Sequence, residues 1–171
     1  IDNLFLVASE KSAGQKLIFK KKEIIVEQLE KYDFSKAEIT IFAAGSEIAK
    51  NWAPKASKKT IVIDNSKYFR MDEDVPLVVA EVNPSALRSH KNIIANPNCS
   101  TIQLMLPLKP LHEKYKIKRV VVSTYQAVSG AGKASVDELF DQTKNYLEGK
   151  KIESKNFTKQ IAFNLIPHID S

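Results

Sequence analysis

The sequence predicts an α/β fold built on a parallel sheet. Short apolar runs without polar alternation recur along it, the mark of strands buried on both faces. Helical patterns separate these runs, with short connections between, which is the order of strand–helix–strand units. In such sheets ligands bind past the carboxyl ends of the strands. Those ends are therefore where chemistry is sought.

Leu4-Phe5-Leu6-Val7-Ala8 is the first buried run. "KLIFKKKEIIVEQL" reads as a pair of short strands on an edge. "EITIFAAG" (38–45) is another buried strand, ending at Gly45. "SEIAKNWAPKA" follows as a helix, with Ser46 as N-cap and Glu47 in its first turn. "TIVIDN" (60–65) is a strand closed by an Asp64-Asn65 turn. "PLVVAEV" (76–82) and "NIIAN" (92–96) are two more strands. Gly45, Asn65 and Asn96 to Cys99 all fall at strand ends.

After Cys99 the texture changes. "STIQLMLPLKPLHEKY" has helical apolar spacing interrupted by Pro107 and Pro110. Proline inside a helix costs roughly 3 kcal/mol, so a break or kink is expected near Leu106. "IKRVVVSTYQAVSGAG" is a strong strand running into a glycine turn. "KASVDELFDQTKNYLEG" is an amphipathic helix with Val136, Leu139, Phe140 and Leu147 on its apolar face and Gly149 as C-cap. "FTKQIAFNLIPHIDS" begins another strand. The change of texture divides the chain into residues 1–97 and 98–171.

Of 171 residues, 43% are hydrophobic and 27% charged, ordinary for a globular protein. No apolar run approaches the roughly 20 residues that span a bilayer, and the opening lacks the pattern of a signal peptide. A single cysteine with no targeting segment fits a cytoplasmic setting. The 26 Lys and Arg against 20 Asp and Glu give +6, but these charges are spread out and not interleaved with aromatics. That argues for a solvated surface, with some cations available to small anions, rather than for nucleic-acid binding. Nothing in the sequence suggests a metal site.

Cys99 has no partner for an internal disulfide. It lies in "NIIANPNCSTIQL", where a helix begins with Asn98 or Cys99 at its cap. First-turn N–H groups and the helix dipole then face the sulfur, favouring thiolate, the nucleophilic form. The same groups can hold an oxyanion or a phosphate. A buried, inert cysteine is the alternative. Gln126, after a buried run and before Ser-Gly-Ala-Gly, can donate and accept hydrogen bonds to a carbonyl or carboxylate; alternatively it is the polar end of a strand in a tight turn.

"NPNCSTIQ", followed 27 residues on by the glutamine of "YQAVSGAG", resembles the aspartate-semialdehyde dehydrogenases in their bacterial form. "ASEKSAG", "FAAGS", "VIDNSKYFRMDEDVPLVVAEVN" and "QIAFNLIPHID" agree in order, so the resemblance covers nearly the whole chain. It implies an incomplete Rossmann-like NADP-binding domain over 1–97, followed over 98–171 by the first part of an α+β catalytic and dimerisation domain. It implies reduction of L-aspartyl 4-phosphate by NADPH to L-aspartate 4-semialdehyde, with release of phosphate. That reaction leads to lysine, methionine, threonine and diaminopimelate. Cys99 matches the nucleophile that forms a thioester. Gln126 matches the glutamine that orients substrate, Arg70 the arginine that grips its phosphate, and Asn98 a residue of the same phosphate site. Lys11 and Ser12 match contacts to the 2′-phosphate of NADP; relatives often carry arginine at the first of these. Gly45, Ser129 and Gly130 match backbone positions near the cofactor. The resemblance also implies a homodimer.

Two of the family's features have no match. There is no GxGxxG-type loop among the five glycines, and none of His90, His112 or His168 matches the family's catalytic histidine. The expectation is an internal portion of a longer enzyme, inactive by itself. A related reductase acting on N-acetylglutamyl phosphate, and a non-catalytic binding module, are the rival readings.

Overall fold

The computed structural model describes residues 1–167. The expected segment "HIDS", His168 included, lies outside them. The chain gathers into two compact units, Ile1–Lys118 and Arg119–Ser171.

The first unit carries strands β1 (Val7–Ala8), β2 (Lys16–Phe19), β3 (Lys22–Ile25), β4 (Glu27–Gln28), β5 (Ile39–Phe42), β6 (Ile61–Asp64) and β7 (Ile93–Ala95). Helix α1 (Ser46–Ala56) connects β5 to β6, and α2 (Cys99–Tyr115) follows β7. The α/β expectation holds, with β5, β6 and β7 forming a three-stranded parallel sheet in that order. The parallel pairing is nevertheless divided: β1 pairs in parallel only with β4. β2 and β3 form an antiparallel hairpin of their own, turning at Lys20 and Lys21, both with positive φ (47° and 66°).

The core lies between this sheet and α1. Ala49, Ala53 and Ala56 recur at helical spacing and are fully buried, so the helix backbone approaches the sheet closely. Val62 of β6, Phe42 of β5 and Ala95 of β7 meet them from the sheet. An aromatic group closes the side: Tyr32 meets Phe34 edge-on at 5.2 Å, and Phe34 lies 6.2 Å from Phe42 and 6.4 Å from Trp52.

Several expected elements differ. Leu4–Ala8 contributes only the two-residue β1, and none of its residues is fully buried. On β5, Ile39 and Ile41 are 56% and 65% exposed, because β5 is the outer strand of its sheet and one of its faces is uncovered. The 76–82 run makes one parallel bridge, Leu77 to Ala95, then turns. Asn83 causes the turn: its Oδ1 accepts the Val79 N–H at 2.8 Å, while Val82 N–H donates to Val79 C=O. The N-cap of α1 is Gly45, not Ser46, which is the first helical residue; Glu47 is in the first turn as expected. Helix α2 runs unbroken through Pro107 and Pro110. Each proline removes one N–H from a 17-residue ladder and the remaining bonds carry the helix.

In the second unit, a 3₁₀ turn at Val128–Ala131 leads through Gly132 into α3 (Lys133–Leu147). Gly149 follows the helix at φ 67°, and its N–H donates to Tyr146 C=O, the expected stop. The 116–127 run pairs with no strand among the described residues, and Val120, Val121 and Val122 are exposed. Nor does 157–167 form a strand; it turns at Ala162-Phe163.

Helix α3 turns its expected apolar face only partly inward: Val136 and Leu139 are half-buried. Phe140 and Leu147 are 69% and 74% exposed, whereas Ser135, Glu138 and Gln142 are buried. The cause is segment 153–162, which presents backbone groups to the helix. Glu138 accepts the N–H groups of Asn156 (2.6 Å) and Lys155 (3.0 Å) and the Asn156 side-chain amide (2.8 Å). Gln142 donates to Glu138 (2.9 Å) and to Glu153 C=O (3.0 Å), and accepts from Ile161 and Ala162 N–H at 2.8 and 3.2 Å. Burial pushes the Glu138 carboxyl up; the donated N–H groups together outweigh that and hold it below the usual carboxylate range.

Two predictions follow from backbone and charge. Gly45 (φ 91°, ψ 170°) and Gly132 (φ 95°, ψ 177°) occupy a region essentially restricted to glycine. Gly45→Ala and Gly132→Ala should each lose about 1–3 kcal/mol in urea unfolding. Gly130→Ala, where φ is not positive, should change it by less than about 0.5 kcal/mol. Because the Glu138 carboxyl is lowered on folding, its contribution is fully present above the unfolded carboxylate range and is lost as pH falls through the folded value. The protection factors of the Lys155 and Asn156 amides should therefore fall on acidification, and this pH dependence should vanish in Glu138→Gln.

Candidate active site

In the first unit the candidate residues gather at the carboxyl ends of β6 and β7. Asp64, the last residue of β6, is fully buried and closes the strand by accepting Ser66 N–H at 3.0 Å and Ser66 Oγ–H at 2.7 Å. Its own C=O accepts Asn96 N–H at 2.8 Å, extending the parallel pairing one rung past β7. Asn96 Nδ2 then donates to Asn65 Oδ1 at 2.8 Å. Arg70 joins both ends: its Nε donates to Asn96 C=O at 3.0 Å and its Nη2 to Asn65 C=O at 3.1 Å. Arg70 is thus half-buried and fixed, and not the free surface arginine that a position after an exposed turn suggests.

Three residues beyond Asn96, the chain enters α2. Asn98 is its N-cap, with Oδ1 accepting Ser100 N–H at 3.0 Å and C=O accepting Ile102 N–H at 3.0 Å. Cys99 is the first helical residue. Its thiol is exposed and lies 3.9 Å from Asn98 Oδ1, a long sulfur contact. The cysteine is therefore not a core residue but a thiol presented at a capped helix start. Arg70, Asn98 and Cys99 are brought together by one hydrogen-bonded run of chain. Further along α2, Lys109 Nζ donates to Glu81 C=O at 2.8 Å and ties the helix to the 79–83 turn.

A second group flanks, along the chain, a cavity of about 530 Å³ between the ends of β1 and β5, lined among others by Val7, Ser9, Glu30, Phe34, Ile41 and Ala44. The chain leaves β1 through a tight turn at 9–14, where Ser12 and Ala13 N–H both donate to Ser9 C=O. Lys11 is exposed on that turn and Ser12 half-buried. Gly45 follows Ala44 at the opposite wall, and an added Cβ there would meet nothing within 4 Å. Lys11, Ser12 and Gly45 flank the cavity along the chain without lining it, and its otherwise largely apolar wall includes Glu30.

In the second unit, Gln126 lies on the exposed run leading into the Val128–Ala131 turn, and it makes polar contacts there. Ser129 and Gly130 belong to the turn itself, which closes with Gly130 N–H donating to Ala127 C=O and Gly132 N–H to Ser129 C=O.

The sequence marks Asp64-Asn65 as a turn and Asn65 and Asn96 as strand ends, but not the bonds that join them to Ser66 and Arg70, nor Glu138 and Gln142. "IDNS" carried a readable signal for the first group, since an Asp two residues before a Ser favours a side-chain-closed turn. Glu138 and Gln142 carried none, being ordinary polar residues of a helix. Among the described residues no cluster of His, Cys, Asp and Glu could hold a metal, and no helix is long and apolar enough to cross a membrane.

Comparison with known proteins gives this geometry a family. The model of the semialdehyde dehydrogenase NAD-binding domain matches residues 1–90, and that of the semialdehyde dehydrogenase dimerisation domain matches 108–171. The chain is 54% identical to an aspartate-semialdehyde dehydrogenase of Aquifex aeolicus, across 99% of its length and 52% of the relative's. It is 50% identical to one of Vibrio mimicus, across 99% of its length and 55% of the relative's. The crystal structure of aspartate semialdehyde dehydrogenase II from Vibrio cholerae complexed with ASA superimposes with a TM-score of 0.94 at 49% identity, covering the whole chain and 52% of that protein. The chain thus spans about half the length of the relatives it matches. With both family models matched in chain order, and a thiol at a capped helix start between them, the chain belongs to the semialdehyde dehydrogenase family.

Proposed function

We propose that this chain supplies the cofactor-binding part (1–97) and the nucleophile-bearing start of the catalytic and dimerisation part (98–171) of an aspartate-semialdehyde dehydrogenase. The reaction is the NADPH-dependent conversion of L-aspartyl 4-phosphate to L-aspartate 4-semialdehyde and phosphate. The observation that carries this reading is the exposed Cys99 thiol at the start of α2, beside an arginine fixed on the preceding strand ends. The names and order of the family matches support the same substrate class.

Cys99, as thiolate, attacks the acyl carbon of the acyl phosphate. The carbon–oxygen bond to phosphate breaks, phosphate leaves with the bonding pair, and a thioester on Sγ remains. First-turn N–H groups of α2 offset the charge on the tetrahedral oxyanion. Arg70 binds the departing phosphate. A guanidinium has five N–H donors, and two of them are spent on Asn96 and Asn65 carbonyls, which leaves the rest of the fork in a fixed orientation for phosphate oxygens. Asn98 lines the same phosphate position. Gln126 orients the substrate through its amide.

A nicotinamide cofactor, when bound, supplies or accepts the hydride at the acyl carbon. Lys11 and Ser12, on the turn after β1, are the residues that would hold the 2′-phosphate of NADP, with Gly45 close along the chain to the neighbouring cavity. Ser129 and Gly130 would offer it backbone groups. The match to a dimerisation-domain model over 108–171 supports assembly of the whole enzyme as a homodimer.

In the full-length protein, Cys99→Ala should lower phosphate-dependent oxidation of aspartate semialdehyde by about 10³-fold or more. Retained turnover would overturn the assignment, and turnover only with the acetylated glutamyl substrate would move it to the related reductase. Arg70→Lys keeps the charge but cannot both bridge two carbonyls and fork onto phosphate. The KM for phosphate should rise about tenfold or more, roughly 1.4 kcal/mol in transition-state binding, while alkylation of Cys99 proceeds normally.

A further inference from the structure

Among the described residues of the second unit, the buried ones apart from Ala162 are polar: Ser135, Glu138 and Gln142. Its helix α3 is therefore held less by apolar packing than by the hydrogen bonds of Glu138 and Gln142 to segment 153–162. These bonds reach the first turn of α3 by one particular route. Asn156 donates its backbone N–H and one side-chain N–H to Glu138, and the same side-chain nitrogen lies 3.3 Å from Ala134 C=O. Ala134 is two residues past Gly132. Gly132 in turn locks the Val128–Ala131 turn to the helix, donating its N–H to Ser129 C=O and accepting Val136 N–H at 3.3 Å. Glu138, Asn156, Ala134, Gly132 and the turn carrying Ser129 and Gly130 form one continuous chain of contacts, and Gln126 lies two residues before that turn.

The geometry points to Glu138 as a positioning residue that, through Asn156, sets the first turn of α3 and with it the Gln126–Gly130 segment of the active site. This rests on the function proposed above. Glu138 does not touch substrate; it fixes the base from which the Gln126 amide is presented. A carboxylate suits the task because both oxygens accept from donors fixed in the backbone, whereas a glutamine turns an NH₂ toward one of those donors. Charged acceptors also make the stronger hydrogen bonds.

The test is Glu138→Gln in the full-length enzyme, with steady-state kinetics for semialdehyde and phosphate, and with the active fraction titrated by Cys99 acylation. The expected result is a rise of about tenfold in KM for semialdehyde, per active site, with Cys99 alkylation by iodoacetamide within about twofold of the unmodified rate. A purely structural role would lower the active fraction and the melting temperature and leave KM unchanged; that result overturns the proposal. Should Glu138→Gln fail to fold, Asn156→Ala removes the side-chain bridge to Ala134 and leaves the Glu138–backbone bonds. It should raise the same KM about threefold, and an unchanged KM in that variant overturns the proposal equally. Absence of semialdehyde turnover in the unmodified full-length protein would overturn the proposed function and this inference with it. Normal turnover there, with unaltered KM in the variants, overturns the positioning role alone.

Discussion

Parallel strands end with backbone groups that their neighbours cannot satisfy, and where β6 and β7 end those groups are satisfied by one side chain. Arg70 donates to the carbonyls of Asn65 and Asn96, while Asn96 also bonds Asp64 C=O and the Asn65 side chain. The bond to Asn96 is part-buried and that to Asn65 exposed, so their contribution is that of ordinary charge-assisted hydrogen bonds holding the crossing from sheet to helix. They also fix position. Asn96 is only three residues from Cys99, too short a tether for the thiol to wander once its start is held. The Asn98 cap fixes the other side, taking the Ser100 N–H and directing the chain into α2. Scaffold and chemistry share the same few hydrogen bonds.

The two units reach stability by different means. In the first, alanines at helical spacing on α1 lie flat on Val62, Phe42 and Ala95, and an aromatic group fills the remaining side. In the second, a carboxylate and an amide on α3 gather the backbone of 153–162. A buried polar network of this kind is intolerant of partial satisfaction, since each missing partner leaves a desolvated group behind. It specifies one arrangement of helix and loop, where apolar surfaces would permit several.

The sequence made the α/β class, the β2–β3 pair, α1, β6, β7 and the helix start at Cys99 legible, because each rests on local signals: a continuous apolar run, a cap, a turn residue. It misread what depends on partners. Continuous apolar runs at 38–42 and 119–122 signal strands covered on both faces, yet Ile39 and Ile41 lie on an outer strand, and Val120–Val122 pair with nothing among the described residues. The pattern registers the burial a residue is suited to, not the neighbour it meets. Phe140 and Leu147 mislead in the same way: helical spacing identified a real helix, but not which face the 153–162 backbone would claim. Pro107 and Pro110 were weighed by their cost per residue, which a long helix with many remaining bonds absorbs.

For the site, the thiol was legible because a lone cysteine beside an Asn cap is a local pattern. Arg70 was not legible from spacing, since "YFRMD" by itself describes an exposed turn and its importance comes from bonds to residues 65 and 96. The family resemblance implies its proposed role, and the two carbonyl bonds give a physical reason why that role would call for arginine. A lysine has one ammonium on a flexible stem and would be consumed by either carbonyl. The guanidinium is planar, so fixing Nε and Nη2 on two carbonyls also fixes the direction of its remaining N–H groups. Rigidity that costs side-chain entropy during folding is then already in place when a phosphate arrives, and binding loses less on that account. On the proposed reading, the same two bonds that make Arg70 part of the scaffold would make it an effective anion clamp.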